Sequence, residues 1–271
     1  MIRVSTLASS SKGNATVISG GGTHLLVDAG ISATRIRKGL EECGLCVRQL
    51  SGLLFTHEHT DHTCGLGVLS KKDSLHIYCT RYVGQDLRPT APSASFSYIE
   101  PGSRVQIGAF TVTPFQVSHD ATDPVGYLFE CEGVKLGYIT DTGRIMRGMD
   151  NLMQGVHALY LESNYDHGML YNSGRPMHLI ERIESNFGHL SNEQAGEFVR
   201  QIAHPDLQHI ILAHISQDCN TPDKARCAMQ QTLDELCLNT NLHCAPAAHR
   251  LPWIKVNCKF KCDTLLKKMH Y

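Results

Sequence analysis

Thr56-His57-Glu58-His59-Thr60-Asp61-His62 follows an apolar run, Gly52-Leu53-Leu54-Phe55, which reads as a buried strand that stops where the polar residues begin. Three imidazoles and two carboxylates at one strand end are costly for a core to absorb, because buried polar groups need partners. The His-x-His-x-Asp-His spacing suits two metal ions side by side. His57 and His59 would hold the first, while Asp61 and His62 turn toward the second. Imidazole with carboxylate is a ligand set of zinc, manganese or iron. A solvated histidine-rich turn would leave four ligand-type residues unexplained, so the rest of the chain is expected to supply the missing ligands.

Composition sets the bounds. A chain of 271 residues with 42% hydrophobic content can bury a real core, and it reads as one domain over residues 1–271. The formal net charge of −1 provides no overall basic field of the kind that draws in duplex nucleic acid. Sixteen histidines agree with metal chemistry. The start, Met1-Ile2-Arg3-Val4-Ser5, lacks a signal-peptide layout, and no apolar run is long enough to span a bilayer. The expectation is a cytoplasmic protein without a membrane partner, whose 11 cysteines are reduced thiols rather than a disulfide framework.

Outward from the histidine-rich stretch, one arrangement recurs: an apolar strand followed by a ligand-type residue. Strands at residues 110–117 and 134–139 deliver His119 and Asp141. Strands at residues 157–161 and 209–213 deliver Glu162 and His214. Upstream, the strand ending at Val27 leads into Asp28-Ala29-Gly30, where the acid can bond nearby amides or orient a metal-ligating histidine from behind. Ser191 and Gln194 form a capping box that opens a helix through Ile202, which puts His189 beside a helix N-terminus. The loop Ser9-Ser10-Ser11-Lys12-Gly13-Asn14 lacks P-loop spacing; it reads either as a plain turn or as a phosphate contact through its amides, hydroxyls and Lys12. Helices are expected at residues 32–43, 176–187 and 221–236. Cys43-Gly44-Leu45-Cys46 is an isolated CxxC with no redox context, and the tail after Asn239 shows little pattern beyond a strand at residues 253–256. Cys258 and Cys262 have no identifiable partners for zinc.

Asp28, residues 56–62, His119, Asp141 and His214, in this order and context, resemble the five motifs of the metallo-β-lactamase superfamily. The resemblance implies an αββα four-layer sandwich, an α/β fold of two packed sheets, with a dinuclear site at one sheet edge. It implies that His57, His59 and His119 bind one divalent ion (Zn²⁺ or Mn²⁺), that His62, His214 and Asp61 bind the other, and that Asp141 bridges them. Asp28 would support the ligands from behind. Leu159-Tyr160-Leu161-Glu162-Ser163-Asn164 and Gly188-His189-Leu190-Ser191-Asn192-Glu193-Gln194-Ala195 resemble paired motifs of tRNA 3′-processing endonucleases. In those enzymes the histidine protonates the leaving oxygen and the acid steadies it.

The opening loop, together with His214-Ile215-Ser216-Gln217-Asp218-Cys219-Asn220, looks most like the small bacterial YycJ/WalJ-like exonucleases. The expected activity is therefore metal-dependent phosphodiester hydrolysis, a 5′-to-3′ exonuclease on single-stranded DNA or RNA. Asp61, His189 and Glu162 are the expected catalytic groups, with Ser10, Lys12, Asn14, Asn192 and Asn220 positioning phosphate. The alternatives are hydrolysis of a small cyclic phosphodiester or thioester, and tRNA 3′ processing.

Overall fold

The computed structural model describes residues 1–258, so the expectation for Cys262 lies outside the described residues. In chain order the first sheet contains β1 (Ile2–Ala8), β2 (Ala15–Gly20), β3 (Thr23–Val27), β4 (Gly52–Leu54), β5 (His76–Cys79) and β6 (Ser95–Tyr98). The second contains β7 (Val105–Ile107), β8 (Phe110–Gln116), β9 (Val125–Cys131), β10 (Val134–Ile139), β11 (Ala158–Glu162), β12 (His209–Ala213) and β13 (Asn241–Cys244). The last strand, β14 (Ile254–Val256), returns to the edge of the first sheet beside β1. The spatial orders are β14-β1-β2-β3-β4-β5-β6 and β13-β12-β11-β10-β9-β8-β7.

Strand alternation explains why these sheets stack. On β2 and β3, Ile18, Leu25 and Val27 face the second sheet, while Val17 and Leu26 face helices. On β12, Ile211 and Ala213 face the first sheet, and Ile210 and Leu212 face the other way. Each sheet is thus apolar on both faces and must be covered twice. Helices Ala33–Glu42, Leu66–Ser70 and Arg81–Leu87 cover the first outer face. Helices Asn192–Ile202 and Pro222–Glu235 cover the second. Three apolar layers between four structural layers make the αββα sandwich.

Part of each sheet is an antiparallel meander and part is parallel. β3 to β6 run parallel, as do β10 to β13. The residues following β3, β4, β10, β11 and β12 therefore emerge at carboxyl ends of parallel strands, the usual place for a ligand site in such sheets.

The structure departs from the sequence expectations at several elements. β6 and β13 form where no strand is expected, as edge pairings of short, partly polar segments. The helix expected over residues 176–187 stops at Glu184, because the following residues bend to meet residues 118–120. Among the described residues the cysteines are unpaired, Cys43 and Cys46 included, and no helix is long and apolar enough to cross a membrane.

Candidate metal centre

Asp28, Asp141 and His214 stand just past strand ends, and all three hold positive φ values of 60°, 52° and 51°. L-residues avoid this left-handed region, at a cost of order 1–3 kcal/mol, and such strain concentrates at functional sites. The turns bend the chain back on itself so that the side chains converge. Gly30 lets the first of them pass close to the ligand stretch: a Cβ there would sit 1.6 Å from the Asp61 carbonyl. The amides of Ala29 and Asn14 donate to the carbonyls of His62 (2.7 Å) and Asp61 (2.8 Å).

Seven expected ligands come together. His57, His59 and His119 bring ligand atoms within 4.8 Å of one another, and so do Asp61, His62 and His214. Asp141 joins His57 and His62 in one such group and Glu162, His189 and His214 in another. Its Oδ2 lies 3.2 Å from His62 Nε2, while its Oδ1 lies 3.5 Å from His214 Nε2 and 3.8 Å from His119 Nε2.

On four of the rings the Nδ1 side is engaged, so the other nitrogen faces the centre. His57 Nδ1 meets Thr56 Oγ1 at 3.1 Å, His62 Nδ1 meets Asp28 Oδ2 at 2.8 Å, and His119 Nδ1 donates to the Gly188 carbonyl at 3.1 Å. His214 Nδ1 meets Glu162 Oε1 at 3.0 Å. Asp28 is itself fixed by the Thr56 amide (2.9 Å) and hydroxyl (2.9 Å). Occupied Nδ1 atoms set the ring orientation and leave Nε2 as the ligand atom. His57 Nε2 and His214 Nε2 are buried with no hydrogen-bond partner. Native interiors rarely leave such atoms orphaned. A cation is what this donor set fits.

The electrostatics agree. Burial alone would push the His62 imidazole down, but the Asp28 and Asp141 carboxylates outweigh it and hold it well above the usual histidine range. For His214, burial is likewise outweighed by Asp141, Asp61 and Glu162. At His57, burial and then His62 outweigh the Asp141 carboxylate and depress the imidazole well below its ordinary value. Clustered carboxylates stabilise positive charge at this spot whether it is a proton or a metal ion.

His189 stands at the rim, its Nδ1 2.8 Å from Glu162 Oε1 and its ring 5.2 Å from the rings of His119 and His214. Glu162 is fully buried, and its Oε2 accepts from the amides of Thr142 (2.9 Å) and Leu190 (3.3 Å).

The expected phosphate-binding residues divide. Lys12 is exposed, but Ser10 and Asn14 are buried. The Asn14 amide nitrogen donates to the Ser10 carbonyl (3.0 Å) and lies 3.1 Å from His62 Nε2. Asn192 and Asn220 are buried together, Asn192 Oδ1 accepting from Ser163 Oγ (2.6 Å) and Asn220 Nδ2 (2.8 Å). These three asparagines are engaged in hydrogen bonds within the fold. Sequence reasoning gave no role to Ser9, whose Oγ accepts from the His214 amide (2.8 Å), or to Asn164, whose amide nitrogen donates to the His214 carbonyl (2.7 Å). Asn164 closes the segment that carries Glu162, so its signal was within reach; Ser9 gave none beyond a hydroxyl-rich loop.

The model of the beta-lactamase superfamily domain matches residues 23–215, a span that includes every one of these ligands. The chain belongs to the metallo-β-lactamase superfamily. Within it, the chain is 36% identical over 237 residues to exodeoxyribonuclease YycJ of Bacillus anthracis, which covers 86% of this chain and 90% of that protein. It is 31% identical over 236 residues to exodeoxyribonuclease WalJ of Streptococcus pneumoniae, covering 85% and 88%. Among solved structures, the metallo-β-lactamase fold protein YhfI from Bacillus subtilis superposes with a TM-score of 0.72 at 15% identity, over 93% of this chain and 99% of that one, a likeness of fold alone. This member of the metallo-β-lactamase superfamily is a metal-dependent hydrolase.

Proposed function

We propose that the chain is an exonuclease that removes nucleotides from the 5′ end of single-stranded DNA. The observation that carries this reading is the shared carboxylate: Glu162 Oε1 meets both His189 Nδ1 and His214 Nδ1, which ties a rim histidine to a ligand of the centre. The names of the YycJ and WalJ relatives support DNA as the substrate.

His57, His59 and His119 would hold one divalent ion, zinc or manganese, and Asp61, His62 and His214 the other, with Asp141 between them. Bound there, such ions supply an activated water and neutralise charge that gathers on the phosphoryl oxygens. Asp61, with its side chain 26% exposed and Oδ2 3.6 Å from both His62 Nε2 and His214 Nε2, orients the attacking group at the open side. His189 holds a proton at Nε2 while Glu162 fixes Nδ1, and it passes that proton to the departing sugar oxygen. Acid catalysis of this kind is typically worth ~10²–10⁴-fold.

Single-stranded oligonucleotides blocked at one end or the other, assayed beside a small chromogenic diester, test this reading. Mononucleotide release that a 5′ block stops and a 3′ block does not is the expected result. Faster turnover of the small diester, with the oligonucleotides untouched, would replace the nuclease reading by small-ester hydrolysis.

A further inference from the structure

A groove of about 180 Å³ lies between the helix Ala33–Glu42 and the segment 246–250, floored by Leu7, Ile31 and Gly39 and walled by Arg35, Lys38 and Arg250. Both flanking elements reach the centre through a short chain of hydrogen bonds. The His214 amide donates to Ser9 Oγ (2.8 Å), the Ser9 amide donates to the Pro246 carbonyl (3.0 Å), and the next two carbonyls, of Ala247 and Ala248, each accept from Arg35 Nη2 at 3.3 Å. Ile31, on the floor, directly follows Gly30, which packs against Asp61.

The guanidinium groups are held mainly by neutral acceptors. Arg35 bonds to two carbonyls, and Arg250 Nη1 donates to Ser5 Oγ (3.1 Å) and the Leu251 carbonyl (3.3 Å). Such bonds fix orientation without cancelling charge. The carboxylate on this wall is Glu42, 3.5 Å from Arg250 Nε. Three cations therefore face one acid in a chain whose net charge is −1, so the positive field is local to the groove. Positioned guanidinium groups with an ammonium beside them are a phosphate-recognition set.

We infer that this groove binds a phosphate of the substrate strand other than the one being cut. The inference rests on the nuclease reading of the adjoining centre and gives that strand a path away from it. The phosphate is either the monoester at a 5′ terminus or an internal diester.

The test uses 3′-labelled single strands bearing a 5′-phosphate or a 5′-hydroxyl, with the native chain, Lys38→Glu and Arg35→Gln. Lys38 is exposed, so Lys38→Glu separates a defect of recognition from a defect of folding. Fluorescence anisotropy should show several-fold weaker binding, with the slope of log K against log salt shallower by roughly 0.7 for each phosphate no longer neutralised. With metal-loaded protein, KM for the strands should rise while kcat holds, and the small chromogenic diester should be hydrolysed as by the native chain. A loss confined to 5′-phosphorylated strands assigns the terminal monoester, and an equal loss with both strands assigns an internal diester. Unchanged affinity and slope in both variants would overturn the groove, as would an equal loss on the small diester. Weakened binding by the variants, with no strand cleaved by the native chain, would instead sink the nuclease reading and leave the groove standing.

Discussion

Glu162 and His214 are joined at 3.0 Å through an oxygen that also lies 2.8 Å from His189 Nδ1. One carboxylate thus touches a candidate ligand of the centre and the histidine proposed as proton donor, while its other oxygen is held by two amides. Substitutions at the two ends of this link should differ in kind. His189→Ala should lower kcat by ~10²–10⁴-fold and leave metal content at the native level. Glu162→Gln should lower both, because His214 loses its acceptor. Metal analysis beside turnover checks the pair, and loss of metal in His189→Ala would remove the proton-donor role.

Asp28 supports His62 from behind at 2.8 Å and is fully buried. Asp28→Asn should weaken metal affinity by about 10–100-fold, as is usual when the partner of a ligating histidine is lost. Competition against a chelating dye measures it. Native affinity in the variant would show that Asp28 serves the turn rather than the ring.

Far from the centre, Cys237 follows the helix Pro222–Glu235 with φ at 52°. Its amide bonds the Asp234 carbonyl (3.0 Å) and the Leu238 amide bonds the Leu233 carbonyl (3.0 Å), a Schellman ending that favours glycine at this place. Cys237→Gly should raise stability by about 0.5–1 kcal/mol in urea titrations. A fall in the midpoint would refute the strain assigned here.

His243 on β13 is half-buried, and burial, then the neighbouring His209, depress its pKa to about 4. An unfolded histidine titrates near 6.5. The unfolded chain therefore takes up this proton first as pH falls, and stability that is full above about 6.5 is lost toward 4. His243→Gln should shrink the difference in stability between pH 7 and pH 5 by roughly 1 kcal/mol, the partial exposure having reduced the full linkage value. An unchanged difference would show that His243 does not drive the acid loss.

The convergence of these side chains was legible in the chain because ligand-type residues break the strand pattern at its ends. His119, Asp141 and His214 each follow an apolar run, and a polar residue there has few other uses. The edge strands β6 and β13 were not legible. Half-exposed and short, they carry little alternation, and their pairing is decided by neighbours distant in sequence. The surroundings of the asparagines were not legible for a related reason. Asn14, Asn192 and Asn220 sit in motifs beside the centre, but adjacency in sequence does not say whether an amide faces solvent or completes a buried network. The left-handed turns at Asp28, Asp141 and His214 were likewise hidden, since nothing in an aspartate or histidine announces positive φ.

In the proposed centre, seven side chains cage a pair of cations, with Asp141 between them. Metal stoichiometry by plasma mass spectrometry, on native and Asp141→Ala protein dialysed free of metal and reloaded with Mn²⁺ or Zn²⁺, tests it most directly. The predicted result is two ions per native chain and fewer in Asp141→Ala, with cleavage of single strands lost alongside. Native protein that takes up no ion, or an Asp141→Ala chain that keeps both and still cleaves, would contradict it.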